Sequence, residues 1–136
     1  MSELHFQPIK GKAREILKAI LQTTEIASCN QKDILALRLA CEEIVVNVTS
    51  YAYPEDAEGY LDVGIEKTDN HIVIRFEDSG VPFNPLEQEL PNTEQPWEQR
   101  HIGGLGIFLV LKKIDDVRYA YVNNTNVLTL EKVISP

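Results

Sequence analysis

The 136-residue chain is 43% hydrophobic and 25% charged and has no low-complexity tract, a composition that excludes a disordered tail or a fibrous repeat and predicts one independently folding domain. Twenty-one acidic residues against 13 basic ones give a formal net charge of -8, which argues against diffuse attraction to nucleic-acid phosphates or anionic lipid. Cys29 and Cys41 form no CxxC pair, the first residues lack a signal-peptide pattern, and no apolar run approaches the roughly 20 residues of a membrane span, so the expectation is a soluble, cytoplasmic protein with no nucleic-acid or membrane partner.

Leu4 to Ile9 reads as a short strand, with Pro8 pointing to an edge position where a missing donor is tolerated. Ala13, Ile16, Leu17, Ile20, Leu21 and Thr24 then recur with the 3.6-residue period of one buried helix face. A second helix is predicted from about Gln31 to Tyr51, capped by Asn30 and followed by Pro54. Its core seam is Leu37, Cys41, Ile44 and Val48. A second stripe, Ala36, Ala40, Glu43 and Asn47, lies about a quarter turn away and sets a carboxylate and a carboxamide side by side.

Leu61, Val63 and Ile65 alternate with polar residues or glycine, Thr68-Asp69-Asn70 supplies a turn, and Ile72, Ile74 and Phe76 resume the period of two, which predicts a hairpin. Its second strand stops at Asp78-Ser79-Gly80. Residues 81–102, with prolines 82, 85, 91 and 96, have the composition of a long loop, and loops of that length inside a compact domain are usually functional, so this segment is a candidate lid. Gly103-Gly104-Leu105-Gly106 opens a third helix that Asp115-Asp116 ends, and a last hairpin runs from Val117 to Val133 around a turn at Asn123-Asn124. The predicted fold is α+β: three main helices on one face of a mixed, mostly antiparallel sheet.

Three polar clusters stand in order along the chain, and each supplies what a different part of ATP requires. The amides that open a helix behind Gly103, Gly104 and Gly106 suit an anionic phosphate chain. Asp78 at a strand end can accept a hydrogen bond from the exocyclic amine of adenine, and Gly80 lets the base approach the backbone. The oxygen of Asn47 is a hard, neutral ligand able to complete the octahedron of a magnesium ion held by phosphates. Glu43, one turn earlier, is the candidate general base for an attacking hydroxyl. Arg100 is the only Lys or Arg of an otherwise acidic lid and the candidate contact for the γ-phosphate; Glu87, Glu89, Glu94 and Glu98 must point outward if nucleotide is to bind.

Glu43-Ile44-Val45-Val46-Asn47, Asp78-Ser79-Gly80-Val81-Pro82-Phe83 and Gly103-Gly104-Leu105-Gly106-Ile107-Phe108 resemble the N, G1 and G2 boxes of the GHKL ATPase superfamily. The nearest resemblance is to the anti-sigma-factor serine/threonine kinases, in which Glu-x-x-x-Asn-x-x-x-x-Ala-Tyr and Asp-x-Gly-x-Pro-Phe recur. It extends over nearly the whole chain and implies a Bergerat α/β sandwich in a single domain, residues 1–136, with an ATP lid at about 81–102. It also implies Mg-ATP as cofactor and transfer of the γ-phosphate to a protein serine or threonine. The substrate it implies is a STAS-domain anti-sigma factor antagonist; a sigma factor is the second partner and a homodimer the expected assembly. Residue by residue, the resemblance implies Glu43 as base, Asn47 as metal ligand, Asp78 and Gly80 as adenine contacts, Gly104 and Gly106 as phosphate-loop glycines, and Thr125 as the late threonine on the adenine side. The sequence departs from the pattern at Asn124, where glycine is common, and at Thr49-Ser50-Tyr51, where relatives carry a basic or histidine residue.

The leading function is therefore an ATP-dependent protein kinase of a partner-switching circuit. The alternative is a nucleotide-gated protein that sequesters a partner and transfers no phosphate; a kinase loses transfer but keeps binding when Glu43 is removed. A structural module whose glycine loops are only turns would bind no Mg-ATP.

Overall fold

The computed structural model describes residues 1–54, 57–84 and 113–134. Strand β1 (Ser2–Phe6) leads to helix α1 (Ala13–Leu21), a one-turn helix α2 (Thr24–Ala27) and the long helix α3 (Gln31–Tyr51). Strands β2 (Leu61–Lys67) and β3 (His71–Asp78) follow, and β4 (Asp116–Val122) and β5 (Thr125–Val133) close the described chain. The five strands form one sheet in the order β1-β2-β3-β5-β4, and all four pairings are antiparallel, so the parallel component of the expected mixed sheet is absent among the described residues.

The period of two places Leu61, Val63 and Ile65 of β2, Ile72, Ile74 and Phe76 of β3, and Leu128 and Leu130 of β5 on the same face, where all are buried. The helices cover that face. Ile16 and Ile20 of α1, Ile26 of α2 and Leu37, Cys41, Ile44 and Val45 of α3 join the same core, with Val48 packed at its margin. Fully burying one such side chain stabilises the fold by roughly 1.5–3 kcal/mol, so this shared core fixes α3 against the sheet. The opposite face carries ion pairs instead, among them Arg75 with Glu3 and Glu77, and Arg118 with Asp116 and Glu131.

The seam of α3 and its start follow the sequence expectation: the Asn30 side chain accepts from the Asp33 amide at 2.8 Å. The last hairpin also follows it, since Asn123 and Asn124 adopt φ of +53° and +62°, the two left-handed positions of a two-residue turn matched to strand twist. Two details differ. Thr24 does not extend the first helix; α1 stops at Leu21 and Thr24 opens α2, because Gln22 and Thr23 turn the chain and Thr23 bonds its hydroxyl to the Ile20 carbonyl. Pro8 lies beyond β1 rather than inside it, although β1 is an edge strand as expected. The predicted third helix from Gly103 lies outside the described residues apart from Lys113 and Ile114, and Ile114 is buried in the core as expected.

Candidate functional site

Asp78 is the last residue of β3 and falls on the inward face, where it is only 5% exposed. One carboxylate oxygen, Oδ1, accepts from the Gly80 amide at 2.9 Å and from the Asn126 side-chain amide at 3.0 Å. Oδ2 has no hydrogen-bond donor among the described residues. Burial raises the Asp78 carboxyl above the ordinary aspartate value, and the two bonds from Asn126 and Gly80 partly oppose it. A buried carboxylate with one unengaged oxygen is an acceptor suited to an amine-bearing ligand.

Asn126, the cross-strand partner of Asp78, is itself buried. Its amide nitrogen also reaches the Val81 carbonyl at 2.9 Å and the Gly80 carbonyl at 3.4 Å. Its oxygen accepts from the Phe83 amide at 3.2 Å and from the Tyr119 hydroxyl. Sequence reasoning missed this residue because it directly follows the Asn123-Asn124 turn and Thr125, the residue that the resemblance placed on the adenine side. The signal was available: counted back by twos from Leu130 and Leu128, position 126 is inward, and an inward amide needs polar partners.

The C-terminal end of α3 is docked on the same turn. The Val81 amide donates to the Ala52 carbonyl at 2.8 Å, and a Cβ on Gly80 would come within 2.2 Å of that oxygen. Glycine at position 80 is therefore required by helix packing, a reason independent of any base above it. The Tyr53 hydroxyl accepts from the Ser79 amide at 2.9 Å and donates to the Tyr60 carbonyl at 2.9 Å, clamping the Asp78-Ser79-Gly80 turn from its other side. The Ala-Tyr pair that follows the Glu43 and Asn47 pattern thus has a mechanical job.

Glu43 and Asn47 share one face of α3, each partly exposed. The Asn47 amide nitrogen donates to Glu43 Oε1 at 3.5 Å, which turns the Asn47 oxygen away and leaves it unengaged among the described residues. Burial raises the Glu43 carboxyl above the usual glutamate value; the Asn47 bond lowers it and the Glu42 charge raises it again. At 1.5 Å rise per residue, Asn47 lies about 7.5 Å and Glu43 about 13.5 Å along the axis from Ala52, where the Asp78 turn docks. Asp78, Asn47 and Glu43 are thus linked through one helix. The free Asp78 and Asn47 oxygens fit, respectively, an exocyclic amine and a hard divalent ion already held by phosphates.

Thr125 does not join this group. Strand alternation sets it opposite Asn126, and its hydroxyl bonds to the Asn123 carbonyl at 3.3 Å in the hairpin turn. Asn126 occupies the place next to Asp78. Thr49 points inward, its hydroxyl bonded to the Val45 carbonyl at 2.9 Å, whereas Ser50 and Tyr51 are exposed. Gly103, Gly104, Gly106, Arg100 and most of the candidate lid lie outside the described residues.

Other reactive groups are occupied elsewhere. His5 pairs with Asp62, which raises its pKa above the usual histidine value, and His71 contacts Asn70 and Glu131 on the ion-paired face. Burial pushes the Cys41 thiol up to about 12, so it is an inert core residue. No helix of the described residues is long and apolar enough to cross a membrane.

A 92-residue stretch is 32% identical to the serine-protein kinase RsbW of Oceanobacillus iheyensis, covering 65% of this chain and 56% of that protein. A 129-residue stretch is 28% identical to the RsbW of Bacillus thuringiensis, covering 88% of this chain and 79% of that one. The chain thus spans little more than half the length of the Oceanobacillus relative. In fold it is similar to the crystal structure of the RsbU and RsbW domains of a Mycobacterium tuberculosis protein, with a TM-score of 0.59 at 17% identity over 100% of this chain and 34% of that one. The pattern that defines the histidine kinase-like ATPase domain matches residues 9–132. The chain belongs to that family.

Proposed function

We propose that this protein is a Mg-ATP-dependent serine/threonine kinase of a partner-switching system, acting on a STAS-domain anti-sigma factor antagonist, with sigma-factor binding and homodimerisation as further parts of the same reading. The observation that carries it is the unengaged oxygen of buried Asp78, held by Asn126 and Gly80 at the foot of the helix that bears Asn47 and Glu43. RsbW relatives named as serine-protein kinases support it.

When bound, Mg-ATP supplies the transferable γ-phosphoryl group. Asp78 accepts from the base amine, and Gly80 keeps the turn tight against Ala52. Asn47 offers its oxygen to the metal while its nitrogen holds Glu43. Glu43 takes the proton of the attacking serine or threonine hydroxyl, and burial raises its carboxyl above the usual glutamate value, the direction that makes the carboxylate a stronger base. Gly103, Gly104 and Gly106 are assigned to the phosphates, and Arg100 to the γ-phosphate. Positioning and electrostatics dominate such a transfer, which asks little covalent chemistry of the protein.

The test is incubation of the purified protein with labelled Mg-ATP and STAS-domain proteins of the same genome. Label on a serine or threonine of one of them is the expected result. ATP binding without transfer to any of them would instead favour a nucleotide-gated sequestering protein.

A further inference from the structure

Asn126 stands at a junction that the recognised motifs do not include. Its side-chain nitrogen spans Asp78 Oδ1, the Val81 carbonyl and the Gly80 carbonyl, and its oxygen collects the Phe83 amide and the Tyr119 hydroxyl. It is 6% exposed, so these bonds are made out of water, where loss of a partner is most costly. The consequence falls on Asp78. With Oδ1 committed to Asn126 and the Gly80 amide, the carboxylate cannot rotate freely, and Oδ2 is the one oxygen left to receive a ligand donor.

We propose that Asn126 is the positioning residue that sets base selectivity in this site: by holding Asp78 Oδ1 it presents Oδ2 as a fixed acceptor, favouring a purine with a 6-amino group over one with a 6-oxo group. This rests on the nucleotide-binding reading above. A 6-amino purine donates to Oδ2, whereas a 6-oxo purine brings an acceptor against a carboxylate and leaves both unpaired. Were the Asp78 carboxylate free to turn, water or a ring N–H of the 6-oxo base would find an oxygen more easily, and discrimination would fall. The same amide ties Asp78 to Val81 and Phe83, so the acceptor's orientation and the course of the chain leaving the site are set by one side chain.

The test compares binding of ATP and inosine triphosphate to the intact chain, wild type, Asn126→Ala and Asn126→Thr, by calorimetric titration at fixed magnesium and salt. Wild type is expected to prefer ATP by about tenfold or more, the worth of one hydrogen bond to a charged acceptor. Asn126→Ala is expected to lose most of that preference. Asn126→Thr, which keeps a hydroxyl donor next to Asp78, is expected to retain it.

A merely structural role would weaken both nucleotides equally and leave the ratio unchanged in Asn126→Ala; that result, with folding verified by circular dichroism, overturns the proposal while leaving nucleotide binding intact. Failure of folded wild type to bind ATP overturns the nucleotide reading itself. Should Asn126→Ala not fold, the side-chain amide resonance of Asn126 in the wild type decides: it is expected to shift far more with ATP than with inosine triphosphate, and equal shifts contradict the proposal.

Discussion

The backbone of Gly80 sits against the carbonyl of Ala52 so closely that a single added methyl carbon would come within 2.2 Å of the oxygen. This contact is where the turn that follows Asp78 meets the end of the helix that carries Glu43 and Asn47. Because the obstacle is backbone and not a flexible side-chain tip, neither partner can move aside without dragging α3 or β3 with it. Gly80→Ala is expected to lower stability by about 1–3 kcal/mol, the cost of overpacking a tight site, and to weaken ATP binding as well. Urea unfolding monitored by circular dichroism measures the first effect, and an unchanged midpoint would contradict the packing account.

Tyr53 holds the same turn through hydrogen bonds. Replacing it with phenylalanine keeps the ring and removes one acceptor for the Ser79 amide and one donor to the Tyr60 carbonyl. Tyr53→Phe is expected to cost about 1–2 kcal/mol. The denaturation midpoint should fall with the slope unchanged, because the surface exposed on unfolding is the same.

Much of this arrangement was legible in the sequence. The Asn30 cap, the Leu37-Cys41-Ile44 seam, the β2–β3 hairpin and the Asn123-Asn124 turn follow from periodicity and turn chemistry, which are local properties. Glu43, Asn47, Asp78 and Gly80 could be singled out from residue type and spacing. What could not be read was which groups meet across the sheet. Asn126 faces Asp78 only because β3 and β5 pair in one register, and a shift by one residue would have brought Thr125 there instead. The role of Gly80 was half legible: the sequence argument asked for room beside a base, and the structure adds the Ala52 carbonyl.

Asp78 is expected to trade stability for binding. Its carboxyl has a raised pKa in the folded protein, so the native state binds the proton more tightly than the unfolded chain, and stability falls as pH rises from the ordinary aspartate value through the folded one. The ionised form is thus a net cost to the fold. Asp78→Asn removes that charge while an amide oxygen can still accept from Asn126 and Gly80. It should leave thermal stability unchanged or higher and weaken ATP by about tenfold or more. A variant that lost stability and kept ATP affinity would reverse both halves of this expectation.

On the proposed kinase reading, Glu43 is expected to govern the pH dependence of transfer. As a base it works only when ionised, and burial moves its pKa up, so the rate should fall on acidification at a pH above the usual glutamate range. In Glu43→Gln the transfer rate is expected to drop by about 10²–10⁴-fold with ATP affinity little changed. A pH–rate profile of wild type and single-turnover rates of the variant check the two statements, and full activity in Glu43→Gln would remove the residue from its role.

The central claim is that one site unites the turn at Asp78 with the helix bearing Asn47 and Glu43 to hold Mg-ATP. Calorimetric titration of Mg-ATP into folded wild-type protein and into Asp78→Asn tests it most directly. Saturable binding to the wild type, weakened by about tenfold or more in the variant, is the predicted result; no saturable binding to folded wild type, or equal affinity in both proteins, would contradict it.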